Sequence, residues 1–391
     1  MVHADGASVR VAWAGIRARL DHPSGMVYVQ FRPYDAPRWS PVDGQAVMAA
    51  VDAARLHANE HVGAGGLEEV AECWNLSPSP YGPLLLFDGV APEEEGTRAW
   101  VTAFGAHLGE AGWWGTVECA EAQVWLPGWM DDPRYLPRLT AFVAYTLDQP
   151  FTDLGPGSWH QTWGVDPSTN QALCRDVADW CAELKGGEAY LSQGLSQVLL
   201  DGPDLPQILA ASVPYGPAGL TYARREPRAV RQARLSQGGQ CVYQIEDAGK
   251  DWRGRLDTLT RVLTWQPQAF ELAIVRLTPS LALSWLMLDL KNPPPPTVDT
   301  PRFFDCRSLW REFTPDAHGI QILTDAHLAR ARSLTGWTVD AVARGRYLVQ
   351  ARDLAPWYSG TEPDPDVLAA ARADFGDMIL TPSAIDAHTR P

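Results

Sequence analysis

The sequence predicts an α+β protein with mixed sheets and packed amphipathic helices in two or three domains. The 391 residues exceed the roughly 250 to 300 at which one hydrophobic core stops growing. A hydrophobic fraction of 46% and a charged fraction of 20% are those of an ordinary globular protein. Strand and helix patterns follow one another without regular βαβ repetition, which favours an α+β fold over a doubly wound sheet.

Two proline-rich segments predict the domain boundaries. Residues 292–301, NPPPPTVDTP, can form neither a helix nor a central strand and are expected to be a stiff, extended spacer. The segment LPGWMDDPRYLP, which starts at Leu126, lies between two strand-like runs. We therefore expect an N-terminal domain over 1–130, a central domain over 138–291 and a C-terminal domain over 302–391.

The N-terminal domain is predicted to combine three strands and two helices. Residues 26–34 alternate like a half-buried strand, and 44–62 form an alanine-rich helix. Further strands are expected at 83–90 and 116–125. Between them, one face of a second helix carries Trp100, Phe104, Leu108 and Ala111.

The central domain is predicted to repeat this mixture. A strand at 139–147 precedes a helix at 171–184, whose buried face comprises Leu173, Val177, Trp180, Cys181 and Leu184. A later helix places Trp252, Leu256, Leu259 and Leu263 on one face and ends before Pro267. The strands at 270–277 and 281–288 are expected to form a hairpin.

The C-terminal domain carries the clearest helix boundaries. A strand at 319–323 leads to a helix capped by Thr324, followed by two short strands. The last helix has Asp364 as its N-cap, Pro365 at its first position and Gly376 beyond its end. This distribution of residues is typical of helix termini.

The net charge points to a particular class of partner. A formal charge of −15 repels nucleic acids and anionic membranes and favours a basic protein partner. Exposed carboxylates at Glu93, Glu94, Glu95, Asp131 and Asp132 are the candidate docking groups. Seventeen tryptophans could supply apolar anchors, because tryptophan is enriched at binding hot spots.

The remaining composition predicts a soluble, cytoplasmic protein. The six cysteines form no C-x-x-C pair, so reduced thiols are expected rather than a disulfide framework or a zinc ribbon. The first twenty residues lack the pattern of a signal peptide. The longest apolar stretch is about half of what a membrane-spanning helix requires.

One local motif has the spacing of a metal site. His57, Glu60 and His61 form H-x-x-E-H, so that on a helix both histidines could bind one zinc ion while Glu60 polarises its water. The motif resembles that of the inverzincin metallopeptidases over five residues. The resemblance implies a third ligand from a downstream glutamate, for which the candidates are Glu110, Glu118 and Glu121. Two solvated histidines near a helix C-terminus are the alternative.

An arginine-rich segment stands out against the overall acidity. If it is helical, Arg225, Arg228, Arg231 and Arg234 form a slowly rotating stripe of forked donors suited to carboxylates or phosphates. The first three are therefore candidate partner-binding residues. Ion pairing with the acidic surface of the protein itself is the alternative.

A third pattern resembles half of a restriction-type nuclease site. Asp289-Leu290-Lys291 ends a predicted strand, and Glu271 lies near the start of its hairpin partner. The acidic charge of the chain argues against a DNA substrate.

Three functions remain open from the sequence. A non-enzymatic protein-binding role leads, of the kind played by a toxin-neutralising immunity protein or an inhibitory partner, and it needs no cofactor. The first alternative is a zinc-dependent hydrolase using His57 and His61. The second is a nuclease using Glu271, Asp289 and Lys291.

Overall fold

The computed structural model confirms the α+β class. It describes residues 8–12, 26–33, 41–66, 75–77, 84–88, 95–119, 128–131, 138–145, 167–193, 196–200, 205–213, 218–235, 239–278 and 307–389. In this part of the chain, no helix is long and apolar enough to cross a membrane.

Strands and helices alternate irregularly along the described residues. The strands are β1 Val9–Val11, β2 Met26–Pro33, β3 Asn75–Ser77, β4 Leu84–Asp88, β5 Gly115–Cys119, β6 Arg138–Tyr145, β7 Glu188–Gln193, β8 Ser196–Leu200, β9 Ala218–Arg224, β10 Ala229–Leu235, β11 Gln240–Asp247, β12 Phe270–Thr278, β13 Ile320–Thr324, β14 Trp337–Ala343 and β15 Arg346–Ala351. The helices are α1 Pro41–Ala64, α2 Glu95–Glu110, α3 Pro167–Ala182, α4 Leu205–Ser212, α5 Trp252–Thr260, α6 Asp325–Arg330, α7 Ala355–Tyr358, α8 Pro365–Phe375 and α9 Pro382–Thr389.

The chain divides into two compact units. The first comprises residues 1–125 and 191–216, and the second comprises 126–190 and 217–391. The chain leaves the first unit after Trp125 and returns to it within β7. It stays in the first unit for 26 residues, 191–216, and then enters the second unit again. The predicted spacer at 292–301 lies outside the described residues.

The first unit is a five-stranded sheet with a helical layer. Its order is β1-β5-β2-β4-β3; β1 pairs with β5 in parallel and the other pairs are antiparallel. Apolar side chains of the sheet and of both long helices, such as Val29, Phe31, Val51, Trp100 and Phe104, form one core. Burial of this core fixes α1 and α2 against each other.

The second unit is built on a larger sheet. The ten-stranded sheet has the order β14-β15-β13-β12-β6-β11-β10-β9-β7-β8, and all of its strands except β8 and the end of β7 belong to the second unit. All eight residues of the central strand β6 are buried. Strands β9, β10 and β11 form an antiparallel meander beside it.

Most predicted helices agree with the structure. The buried face predicted for 171–184 is found in and just after α3, and Leu256, Leu259 and Leu263 are buried. Asp364 accepts hydrogen bonds at the start of α8, and Gly376 ends that helix with a φ of +54°. Ala111 is a correction, because it lies exposed in the turn after α2.

The arginine-rich segment is not the helical stripe that the sequence suggested. Arg225 and Arg228 lie in the turn between β9 and β10, whereas Arg231 and Arg234 lie within β10. Side chains alternate between the two faces of a strand, so Arg231 points to the opposite face from Arg228 and Arg234. Val230, which is β-branched, suits this buried strand.

Candidate functional site

The outer surface of α1 and α2 in the first unit is the candidate site. Both helices are held in place from their inner side. Trp100, which is completely buried, donates a hydrogen bond from Nε1 to Oδ1 of Asn59 over 2.6 Å. Trp100 also stacks on Phe104 with 5.0 Å between ring centroids. The indole therefore ties α2 to α1 at a defined position.

The exposed positions of these two helices include three carboxylates and a leucine. Glu60 on α1 and Glu95 and Glu110 on α2 are exposed, and none of the three forms an ion pair with any residue that the structure describes. Leu56, one helical turn before Glu60, is 49% exposed. We call Leu56, Glu60, Glu95 and Glu110 the acidic helix surface.

Helix stability does not account for all of these carboxylates. Glu95 lies in the first turn of α2, where the helix dipole favours a negative charge. Glu110 is the last residue of the same helix, where the dipole opposes one. The helix dipole therefore does not account for the carboxylate of Glu110.

Two histidines stack across the same helix pair. The rings of His57 on α1 and His107 on α2 lie 4.4 Å apart between centroids, with 22° between their planes. His57 is exposed and His107 is half-buried. No sequence pattern indicates this pairing, because the two residues meet only when the helices pack.

The zinc hypothesis gains no third ligand in the described part of the chain. His57, Glu60 and His61 all lie exposed on α1. Of the candidate ligands, Glu118 is engaged by Gln30 and Arg32 and Glu121 lies outside the described residues. Among the residues described, no group of three or more histidine, cysteine, aspartate or glutamate side chains is placed to hold a metal ion. The zinc site stays a prediction, to be tested by metal content.

Negative charge is distributed unevenly between the units. The first unit contains 18 Asp and Glu against seven Arg and Lys, a net charge of −11, whereas the second contains 29 against 25, a net charge of −4. Carboxylates of the second unit are often paired with its own arginines. Examples are Glu271 with Arg311, Glu312 with Arg330, Asp316 with Arg372 and Asp377 with Arg332.

Arg228, a predicted partner-binding residue, is part of the interior of the second unit. It is 7% exposed and pairs with Glu246. Glu246 also accepts a hydrogen bond of 3.1 Å from Nε of Arg138, whose side chain is inaccessible to solvent. Both guanidinium groups further donate to the backbone oxygen of Met130. This ion-pair cluster gives the buried charges oppositely charged partners, because an unpaired buried charge would lower the stability of the fold.

Arg231 is likewise engaged within the second unit, while Arg225 is free to contact solvent. Arg231 is buried, lies over the ring of Trp180 and donates to Glu183 over 2.9 Å. Arg261 also donates to Glu183, and its hydrogen bonds, with those of Arg231, lower the pKa of that carboxyl to about 2. Arg225 alone of the three predicted arginines is exposed.

The other predicted acidic and nuclease residues are only partly described. Glu93, Glu94 and Asp132 lie outside the described residues, and Asp131 ends the one-turn helix Gly128–Asp131. In the nuclease set, Glu271 is buried and accepts two hydrogen bonds from Arg311. Asp289 and Lys291 lie outside the described residues, so that hypothesis stays untested.

A row of polar side chains crosses the sheet of the second unit. It was not among the features predicted from the sequence. The residues face one another in register on five adjacent strands: Thr221, Gln232, Gln244, Thr140 and Arg276. Gln244 donates to the hydroxyl oxygens of Thr140 and Thr278 over 3.0 and 3.1 Å. Oγ1 of Thr221 and Oε1 of Gln232 are buried and have no hydrogen-bond partner among the described residues. Alternating polar residues along several strands would have been the signal.

Half of the described tryptophans are core residues. Trp100, Trp180 and Trp310 are almost fully buried. Of the ten tryptophans that the structure describes, five are buried and five are half-buried. The most exposed large apolar side chain among the described residues is instead Leu56.

Comparisons with known proteins add no relative. No family model matches the chain, and neither a curated protein nor a solved structure matches it significantly.

Proposed function

We propose that this chain is an acidic protein-binding protein that uses the acidic helix surface of its first unit to contact a basic protein. One observation carries the proposal: Glu60, Glu95 and Glu110 are exposed and lack ion pairs with described residues, beside the exposed Leu56. The excess of negative charge in the first unit points the same way.

The physical argument has an electrostatic part and an apolar part. Uncompensated carboxylates attract a cationic partner during diffusional encounter and raise the association rate. Leu56 offers an apolar side chain that is removed from water upon binding. Burial of this apolar surface stabilises the complex and slows its dissociation. The well-packed helix pair beneath keeps these groups in fixed positions, so little order has to be gained on binding.

The role that suits such a surface is inhibition or neutralisation of a basic protein. An immunity protein against a cationic toxin, or an inhibitory partner of a nucleic-acid-binding protein, would cover positive charge with a carboxylate-rich face. No catalytic group is required for this role. The buried arginines Arg228 and Arg231 then serve the fold of the second unit.

Affinity capture from the source organism tests the proposal. The bait is the intact chain, compared with the Glu60→Gln/Glu95→Gln/Glu110→Gln variant. The matched control neutralises three exposed carboxylates of the second unit, Asp257→Asn/Asp340→Asn/Glu362→Gln.

We expect the intact chain and the control to capture a basic protein. The first-unit variant should capture a several-fold smaller amount of it. A captured partner of acidic charge, or equal capture by all three baits, would contradict the proposal.

A further inference from the structure

We propose that β14, at the edge of the ten-stranded sheet, pairs with β14 of a second copy of this chain in an antiparallel, two-fold symmetric dimer. This inference does not depend on the acidic helix surface. β14 is the first strand in the order of its sheet, and among the described strands only β15 pairs with it. Residues 338–342 of β14 are all exposed. On the side away from β15, no backbone hydrogen bond joins them to any residue that the structure describes.

The edge of β14 lacks the usual protection against another strand. Proteins commonly protect such an edge with lysine, proline or a covering segment. The sequence of β14, WTVDAVA, contains neither lysine nor proline, and its one charged residue is Asp340. The one-turn helix Pro267–Ala269 packs against this strand but leaves residues 338–342 exposed. The edge is therefore accessible to a further strand.

The side chain of Val339 lies at the uncovered margin of an apolar layer. It is 39% exposed, whereas its neighbour Val349 on β15 is completely buried. Trp337, two residues earlier, is on the same face of the strand. It is buried and packs against Trp357 and Phe375. A strand added beyond β14 would extend this layer and remove Val339 from water.

The hydrogen bonds of the sheet show which main-chain groups of β14 point outward. Ala351 of β15 donates its backbone N–H to Gly319, on the side of β13, over 2.8 Å. Its cross-strand partner on β14, Trp337, therefore belongs to a pair without mutual hydrogen bonds. Such pairs alternate with hydrogen-bonded pairs along an antiparallel ladder. Val339 and Ala341 thus direct their N–H and C=O groups away from β15, where an added strand would bind them.

One register suits the pairing of two identical strands. With Val339 opposite Val339 of the second copy, the two residues exchange both backbone hydrogen bonds and their side chains lie next to each other. Asp340 then lies opposite Thr338 of the second copy. A two-fold axis at Asp340 would instead place two carboxylates opposite each other, which is destabilising. An axis at Thr338 would rely on the N–H of Trp337, which already donates to Leu334.

The oligomeric state of the intact chain and of three variants tests the proposal. Pairing along one short strand buries less surface than a permanent dimer does, so the dimer should form reversibly at about 10 to 500 µM. Sedimentation is measured over this range for the intact chain, for Val339→Lys, for Val339→Glu and for an equimolar mixture of these two variants. The matched control is Val342→Lys, because Val342 is also exposed but lies at the register shift of β14.

We expect the intact chain and the control to dimerise equally as the concentration rises. Val339→Lys and Val339→Glu should each dimerise at least about five-fold more weakly, because like charges then face each other across the two-fold axis. Their mixture should recover to within about two-fold of the intact chain, because opposite charges then meet. An intact chain that stays monomeric, which would leave the edge to a strand of another protein, or a mixture that does not recover, would overturn the proposal.

A second measurement needs no substitution. Hydrogen exchange of individual backbone amides is followed by mass spectrometry with fragmentation, at about 10 and about 500 µM. At the higher concentration, the N–H groups of Val339 and Ala341 should exchange at least about two-fold more slowly. Those of Thr338 and Asp340, which point toward β15, should change less. Exchange at Val339 that does not depend on protein concentration would overturn the pairing.

Discussion

Arg138 and Glu246 form an ion pair in which neither side chain is more than 2% exposed. Arg228 joins the same carboxylate from the turn that directly precedes β10, the strand next to β11. Removing Glu246 leaves two buried guanidinium groups without their carboxylate, which costs about 3 to 5 kcal/mol in comparable cases. We therefore expect Glu246→Gln to lower the free energy of unfolding by several kcal/mol, as measured by chemical denaturation.

The matched control is Glu362→Gln, which removes the same charge from an exposed position. It should change the free energy of unfolding by less than about 0.5 kcal/mol. A Glu246 variant as stable as this control would show that the cluster is not formed in solution.

The polar row of the second unit predicts opposite effects of two substitutions. Gln244 donates to two buried threonine hydroxyls, so Gln244→Leu should cost about 1 to 3 kcal/mol by leaving polar groups unsatisfied. Oγ1 of Thr221 has no hydrogen-bond partner in the part of the chain that the structure describes, so Thr221→Val should leave stability unchanged or raise it. Thermal unfolding of both variants checks this. Destabilisation by Thr221→Val as large as that by Gln244→Leu would refute the assignment.

Two buried histidines predict how stability depends on pH. Burial lowers the pKa of His318 and of His327 to about 4. In the unfolded chain each binds a proton near pH 6.5, so between these values the unfolded state holds more protons. The free energy of unfolding therefore decreases as the pH is lowered from about 6.5 to about 4, by about 3 kcal/mol for each histidine.

Denaturation series across this range provide the measurement. The decrease should be much smaller in His318→Gln/His327→Gln and unchanged in His61→Gln, whose side chain is exposed. Equal stability of the intact chain at both ends of the range would contradict the buried, neutral state of these rings.

The hydrogen bond between Trp100 and Asn59 predicts a local effect on the helix pair. Asn59→Ala removes the acceptor of the buried indole N–H and should cost about 1 to 3 kcal/mol. Glu60→Ala, at the next position, should cost less than about 0.5 kcal/mol because its side chain is exposed. Chemical denaturation distinguishes the two, and equal effects would mean that the bond does not hold α1 to α2.

The sequence predicted best those features that depend on neighbouring residues. Thr324 and Asp364 cap their helices as expected, because a capping side chain bonds only to the next few backbone groups. Even here, His327 reaches back to the backbone N–H of Thr324 in a capping box, a role in which glutamate or glutamine is usual. The sequence therefore predicted where the helix starts, but not that His327 bonds back to Thr324.

Long-range contacts could not be predicted in the same way. Residues of β6 pair with residues of β12 that follow about 130 positions later, and no local pattern encodes such a partner. The arginine-rich segment suggested a helix from its spacing, whereas its burial between β9 and β11 makes it a strand. The neighbourhood of His57 and His107 likewise depends on how two helices pack.

One residue of the acidic helix surface was already a candidate docking group in the sequence. The sequence singled out Glu95 through the run of glutamates before α2, and that residue is exposed. Leu56, Glu60 and Glu110 were not assigned to a partner, because helix periodicity alone does not show which face stays uncovered. Of the tryptophans considered as anchors, the fully buried ones, such as Trp100 and Trp180, belong to the cores.

The dependence of the association rate on salt tests the central claim most directly. With the captured partner, the rate is measured by stopped flow from low to physiological ionic strength for the intact chain, for Glu60→Gln/Glu95→Gln/Glu110→Gln and for Asp257→Asn/Asp340→Asn/Glu362→Gln. We predict that association of the intact chain and of the second-unit control slows about ten-fold as salt rises, and that the first-unit variant starts lower and slows much less. An association rate independent of salt, or an equal loss in both variants, would contradict binding through the acidic helix surface.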